Sequence, residues 1–215
     1  MKKLFFFAFI FGVIAAFGYS YWKTNKVTIA PATKKSVEKK STFSIEEPPK
    51  NSIKGKLESY SGSFKWESRT ATAPAEITIA PKIIQQGEVI ETGKDSQVLV
   101  SFPDIGSVEI SADTNISFTQ LLPDNFVFNQ SKGTVTYTKN STTPFSVRAL
   151  HLLVVMTDGK MTLEIDKETG KITVDMEKGS AKVGFNDIDY NSITDTIKEG
   201  EKFIFDDETR EYSTE

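Results

Sequence analysis

The chain contains a single histidine, His151, which is the first candidate for chemistry near neutral pH. It lies in the apolar run Leu150–Met156, where an imidazole would act as a proton shuttle or a metal ligand. Multi-histidine metal sites and catalytic triads need further ligands or an activated nucleophile, and the chain has no second histidine. The pattern therefore favours a strand residue that faces solvent or forms a hydrogen bond.

Oxygen-bearing side chains alternate along Asn186–Asn191. Because residues i and i+2 of a strand face the same way, Asp187 and Asp189 would be able to share a calcium ion. The segment lacks the glycine and the terminal glutamate of an EF-hand loop. It is more typical of a solvated acidic loop, and residues 206–208 are interpreted in the same way as a charged strand end.

Several classes of function lack the residues that they need. The chain has no cysteine, which excludes disulfides and thiolate chemistry, and it has no phosphate-binding glycine loop and no nucleophile elbow. Residues 51–215 carry 17 basic and 26 acidic side chains, a net charge of 17 − 26 = −9, which does not suit nucleic acid. We expect no enzyme, no cofactor and no metal site.

The N-terminus carries an apolar segment, Leu4–Trp22, that has no charged residue and follows Lys2 and Lys3. At about 1.5 Å per helical residue it spans roughly 28 Å, close to the ~30 Å hydrocarbon thickness of a bilayer. Residues 1–22 therefore predict one transmembrane helix, with the anchor side chains Leu4, Phe11, Phe17, Tyr21 and Trp22. The alternative is a signal peptide that is cleaved near Gly18.

Residues 23–56 predict a flexible basic linker, because they are rich in Lys, Ser, Thr and Pro and poor in apolar side chains. Residues 1–50 carry nine Lys and three Glu, a net charge of 9 − 3 = +6. The positive-inside rule alone would place these lysines in the cytoplasm. The short N-terminus is similar to an export signal, and it favours a single-pass cell-membrane protein with an extracytoplasmic domain, or a secreted one after cleavage.

Residues 57–215 show repeated alternation of apolar and polar side chains, which is typical of strands that are buried on one face. The alternating runs are 76–80, 97–102, 107–111, 134–138 and 171–176. They predict an all-β domain of two opposed sheets of short strands, either a sandwich or a solenoid-like pair.

Turn residues divide these runs. Asp158-Gly159 predicts a tight hairpin and 167–170 a slightly longer one, which together give three strands between Leu150 and Met176. The segment Ser192–Lys198 permits a short helix, but its β-branched residues favour a strand.

Glycines and alternating strands follow one another in a regular order through the domain. The segments are 86–93 with an "I-x-T-G" turn, 96–110 with an Asp and Gly turn between alternating strands, 132–135, 144–147, 178–183 and 198–201. This order of turns and strands resembles the FecR-domain family. The family's "D-G-S" turn is one residue longer here, at 104–107, and its "G-T-x-F" segment is not clearly present.

The residues that carry this resemblance are expected to be structural. Glycine takes left-handed backbone at no steric cost, so these glycines should lie in turns at strand ends. The hydroxyl of Thr92 should cap a turn. The set is Gly87, Thr92, Gly93, Asp104, Gly106, Gly133, Gly179 and Gly200.

Two functions remain open. One is an interaction module of the cell envelope, tethered to the membrane, that binds a protein or a cell-wall polymer. The other is transmembrane signalling, because the resemblance implies a FecR-like regulator that senses an extracytoplasmic signal and acts on a sigma factor. Only three residues precede the apolar segment, so we expect such signalling to pass through a partner protein.

Overall fold

The part of the chain that the structure describes consists of strands and turns, with no helix. This computed structural model describes residues 47–70, 75–76 and 83–215, which lie in one unit, Ser44–Glu215. Among these residues no helix is long and apolar enough to cross a membrane. The anchor residues and most of the linker lie outside the described residues, and so do all residues but Glu76 of the strand predicted over 76–80.

Fifteen strands are present in the described ranges. In chain order they are β1 Gly55–Ser61, β2 Phe64–Glu67, β3 Ala75–Glu76, β4 Ile83–Ile84, β5 Val89–Thr92, β6 Gln97–Phe102, β7 Gly106–Ile110, β8 Asn115–Leu122, β9 Asn125–Lys139, β10 Phe145–Ala149, β11 Leu152–Asp166, β12 Lys171–Asn186, β13 Ser192–Lys198, β14 Lys202–Asp206 and β15 Tyr212–Thr214.

All of these strands belong to one hydrogen-bonded sheet that folds over into two layers. The first layer runs β3-β2-β5-β8, then the first half of β9, β10, the first half of β11, the second half of β12, and β13. The second layer runs β4-β1-β6-β7, then the second halves of β9 and β11, the first half of β12, β14 and β15. The three long strands therefore belong to both layers.

The long strands change layer at glycines with left-handed backbone. Gly133, Gly159 and Gly179 have φ of 79°, 92° and 84°. The pairing of β11 with β12 shifts register on both sides of Gly159, as at a β-bulge. A Cβ on Gly159 would lie 1.9 Å from the carbonyl oxygen of Lys178, so no other residue fits there.

Aromatic rings fill the space between the layers. Phe102 of the second layer lies 5.3 Å from Phe126 and 6.0 Å from Phe128 of the first, measured between ring centroids. At the other end of the sheet, Phe185 of β12 lies 4.6 Å from Phe205 of β14. These rings are buried, and their contact across the layers forms a continuous core.

The predicted all-β class is confirmed, and so are the strand at 97–102, the turn at 167–170 with Gly170 at φ 70°, and the strand at Ser192–Lys198. The prediction of two opposed sheets of short strands is corrected to one sheet whose layers share three strands of 15 or 16 residues.

Two further corrections concern local structure. The prediction of a hairpin at Asp158-Gly159 is wrong, because the bulge at these residues bends β11 and does not reverse the direction of the chain. Structure also begins before residue 57, because the amide of Ile53 donates to the carbonyl of Leu121 at 2.7 Å and β1 begins at Gly55.

Candidate functional site

The outward face of the second layer is covered by charged side chains that pair with one another. Lys56 bonds Glu58 at 2.7 Å, and Lys160 bonds Glu177 at 2.6 Å. The hydroxyl of Thr162 donates to the same Glu177 at 2.8 Å. Such exposed pairs contribute little to stability and satisfy one another, so this face has the character of an ordinary solvated surface.

The outward face of the first layer has one such pair near β5, between Lys132 and Glu91 at 2.7 Å, but its part from β9 to β13 is different. Strand register places ten side chains there in two rows that run from β9 to β13. We call this surface the cationic face: Asn129, Arg148, Leu153, Gly184 and Thr194 form one row, and Val127, Ser146, Val155, Lys182 and Thr196 form the other. Two of its positions are cationic and none is acidic, although the domain as a whole is acidic.

Arg148 is one of the two charges of this face. Its side chain is exposed, and it forms no hydrogen bond or ion pair with any described residue. Its register partner on β11, Leu153, is 43% exposed. An unpaired guanidinium beside an exposed aliphatic side chain is a combination that suits a binding partner, because both groups gain when another molecule covers them.

Two adjoining pockets open beside Arg148, and His151 lines both. One has a volume of about 390 Å³ and extends over the first layer, toward Val127 and Asn129. The other has a volume of about 350 Å³ and is also lined by Tyr190, by Arg210 and by the acidic side chain of Asp187. Together they form a shallow groove at one end of the cationic face.

His151 is held in place by an aspartate from another part of the chain. Asp207 accepts hydrogen bonds from the backbone amide and the Nδ1 atom of His151, each at 3.0 Å. Arg210 lies 3.9 Å from the same carboxylate. With Nδ1 bound to Asp207, Nε2 is the ring nitrogen that a ligand can reach. His151 lies in the two-residue turn between β10 and β11, which corrects its predicted place in a strand.

Backbone strain is concentrated around this groove. Leu150, Tyr190 and Arg210 line the pockets with φ of 53°, 64° and 65°. The other non-glycine residues with positive φ in the described ranges are aspartates, which tolerate this conformation better. A bulky residue there costs about 1–2 kcal/mol, and such strain collects at functional sites when the surrounding structure holds it.

The Asp187 loop presents apolar side chains beside the groove. Asp187 accepts from the amides of Asp189 and Asn191 at 2.9 and 2.8 Å, and its hydrogen bond with the Asn191 side chain lowers the pKa of its carboxyl. The loop exposes Ile188 and Tyr190, by 69% and 87%. Asp187 thus caps its own loop. The described residues contain no group of three potential metal ligands.

The predicted turn residues have varied positions. Gly87, Asp104 and Gly200 lie in turns with positive φ, and Gly106 begins β7. Two expectations are corrected: Gly133 and Gly179 lie inside long strands, where the sheet folds over, and not at strand ends.

A third correction concerns Gly93, which does not have a positive φ. A Cβ there would lie 2.7 Å from Oγ of Ser63, so close approach and not backbone conformation requires the glycine.

Thr92 caps a turn, but the turn is the one at Ser111–Thr114 and not the turn that follows Thr92 itself. Its buried hydroxyl donates to the carbonyl of Ser111 at 2.6 Å and accepts from the amide of Thr114 at 2.9 Å. Thr114 in turn accepts from the amide of Thr134 at 2.9 Å. These hydroxyls join three segments that are distant in sequence, so this turn motif serves the scaffold and lies apart from the groove.

Sequence reasoning missed Arg148, Asp207 and Tyr190. Arg148 carried one signal, because it is a cation at an outward position of an otherwise apolar and small-residue strand, Phe145–Ala149. Asp207 and Tyr190 carried none, because only the fold brings their loops to His151.

The fold and this groove define an all-β domain in which one part of an outward face carries two cations and no acid. A comparison with protein-family models found no matching family, and a comparison with curated proteins found no match. Two crystal structures from Parabacteroides distasonis, described as a putative anti-sigma factor, are similar at TM-score 0.51, with 18% and 17% sequence identity. In each case 59% of this chain matches, and the chain spans 58% of the other protein's length.

Proposed function

We propose that this chain is an extracytoplasmic interaction module, tethered to the membrane, that takes part in signalling by binding a partner on the cationic face. The observation that carries the proposal is Arg148, an exposed guanidinium that has no ion pair among the described residues and lies among the ten positions of the cationic face, which hold no carboxylate. The likeness in fold to putative anti-sigma factors supports a regulatory setting, and so does the resemblance of the turn segments to the FecR-domain family.

The tether in this proposal is the segment Leu4–Trp22, followed by the basic linker. Its length matches a bilayer, and the lysines of the linker can meet anionic head groups. The proposal includes no catalytic step, no cofactor and no nucleic acid.

A second candidate is an envelope module that binds cell-wall polymer and has no signalling role. Exposed Tyr190 beside the groove favours it, because an aromatic ring packs well against sugar rings.

Site-specific photo-crosslinking in intact cells separates the two functions. A benzophenone side chain replaces Thr194 on the cationic face or, as the control, Thr173 on the outward face of the second layer. We expect the Thr194 position to capture a signalling protein, such as a sensor subunit or a regulator of a sigma factor, and the Thr173 position not to. Capture of wall polymer alone supports the second candidate, and equal capture at both positions contradicts the proposal.

A further inference from the structure

The charge of the cationic face indicates which chemistry its partner carries. Residues 51–215 have a net charge of 17 − 26 = −9, yet the ten positions of this face hold Arg148 and Lys182 and no carboxylate. On the opposite outward face Lys56, Lys160 and Lys202 pair with acids of that face. A partner with carboxylates finds on the cationic face two cations that have no ion pair among the described residues.

Apolar side chains between the two cations favour a peptide as the ligand. Leu153 and Val155 separate Arg148 from Lys182 in the register of β10, β11 and β12. An aliphatic surface gains free energy only when apolar atoms cover it, and peptide side chains supply such atoms where a hydroxyl-covered polymer does not. Ile188 and Tyr190 extend the apolar surface at the groove.

The distance between the two cations sets the spacing that the acids of a ligand need. Arg148 and Lys182 lie two strands apart and are displaced by two residues along the strand direction. With strand separations of about 4.8 Å and a rise of about 3.3 Å per residue, their positions are roughly 12 Å apart. In an extended peptide, residues i and i+4 lie about 13 Å apart and face the same way. Residue i+2 then faces the same surface between them.

We propose that the cationic face binds an extended acidic segment of a partner protein, with carboxylates four residues apart on Arg148 and Lys182 and an apolar side chain between them on Leu153. This proposal rests on the proposed function and specifies the ligand of the same face. A guanidinium and an ammonium each form charge-assisted hydrogen bonds with carboxylates, and an aliphatic contact between them fixes the register.

Fluorescence anisotropy with labelled heptapeptides tests the proposal on the full chain in detergent. The probe is Ser-Glu-Ser-Val-Ser-Glu-Ser. In one control peptide the second glutamate is moved one position toward the valine, and in the other both glutamates are replaced by glutamine. We expect the probe to bind at least tenfold more tightly than either control, since a loss of about 1.4 kcal/mol corresponds to a factor of ten.

Protein variants locate the binding. Arg148→Gln and Lys182→Gln should each weaken the probe at least tenfold, and Leu153→Ser severalfold, while the matched control Lys202→Gln on the other outward face should leave binding unchanged. All four side chains are at the surface, so the melting temperatures should not change.

Other outcomes overturn the inference. These are equal binding of the probe and the shifted peptide, unchanged binding by Arg148→Gln, binding of soluble wall polymer in place of the peptides, or self-association that depends on Arg148. A partner captured by crosslinking at Thr194 together with no peptide binding would refute this inference and leave the proposed function standing. Absence of any capture would refute the proposed function itself.

Discussion

Buried polar side chains fix this domain at the places where distant strands meet. Lys139 ends β9 where β7 and β11 both pair with it, and its ammonium donates to the carbonyls of Ser141 and Thr157. Burial lowers the pKa of Lys139, because desolvation disfavours the charged form. Thr92 and Glu88 act in the same way at other junctions, and each allows a prediction at the scale of one residue.

Thr92→Val should destabilise the domain by about 1–3 kcal/mol, because the amide of Thr114 would lose its buried acceptor. The matched control is Thr173→Val, whose hydroxyl forms no hydrogen bond with the described residues and which should change stability by less than about 0.5 kcal/mol. Denaturant unfolding followed by tryptophan fluorescence measures both. Equal effects of the two substitutions would contradict the assigned role of Thr92.

Glu88 should make the stability of the domain depend on pH. It is buried, and desolvation raises the pKa of its carboxyl although it accepts hydrogen bonds from the amide of Gln85 and the indole of Trp66. The pKa of Glu88 in the folded state lies above its value of about 4.3 in the unfolded state. Its contribution to the stability of the fold is therefore complete below about pH 4.3 and is lost as the pH rises through the pKa of the folded state.

The test is Glu88→Gln, which keeps an oxygen acceptor and removes the charge. Relative to the natural chain, this variant should gain stability between about pH 4 and pH 7, measured as the difference between denaturant midpoints. If the natural chain instead became more stable relative to the variant over this pH range, the hydrogen bonds to the ionised carboxylate would outweigh its desolvation.

At the scale of strands, the layer changes of β9, β11 and β12 determine the architecture. Gly159 and Gly179 face each other across β11 and β12, and each approaches the partner's backbone more closely than any Cβ allows. The pair thus lets two long strands bend together and stay hydrogen-bonded on both sides of the bend.

Gly159→Ala should therefore cost about 3 kcal/mol or more, since backbone clash adds to the left-handed strain of about 1–2 kcal/mol. Gly170→Ala is the matched control, because Gly170 also has positive φ, 70°, but a Cβ there meets nothing within 4 Å. Gly170→Ala should lower the stability only by the free energy of the left-handed backbone strain. Thermal unfolding compares the two, and similar losses would show that strain and not close approach decides the effect.

At the scale of the whole molecule, the two outward faces differ in charge. The second-layer face contains ion pairs such as Lys56–Glu58 and Lys160–Glu177, whereas Arg148 of the cationic face has no ion pair among the described residues. The aromatic core between them keeps the strand register, and so the positions of the side chains on the cationic face, fixed.

Stability and binding should therefore separate. Phe128→Ala removes a fully buried ring and should cost about 3–5 kcal/mol, while Arg148→Gln should change stability by less than about 0.5 kcal/mol. Calorimetry of both variants measures this. A large loss of stability in Arg148→Gln would assign that side chain to the scaffold.

The membrane topology is tested on intact cells. Protease added outside should release the β domain if it is extracytoplasmic, and N-terminal sequencing of the mature protein should begin at Met1 if the anchor is kept. A start near residue 19 would support the secreted alternative, and complete protection would place the domain in the cytoplasm.

The sequence predicted much of the local structure because local rules govern it. Alternation fixed which side chains of 97–102 face the core, and β-branched residues made Ser192–Lys198 a strand. It failed at Asp158-Gly159, because a glycine with positive φ fits a hairpin and a bulge equally well. The choice depends on whether the next residues pair with the preceding strand or with a distant one.

By itself, then, the sequence determined the all-β class, the faces of the strands, the hairpin turn at 167–170 and the apolar N-terminal segment, since each follows from neighbouring residues. Only the tertiary structure decided that three strands join two layers, that Asp207 holds His151 across 56 positions, and that a row of outward residues with Arg148 and without acids forms one surface. These depend on long-range strand pairing, whose partners no local pattern specifies.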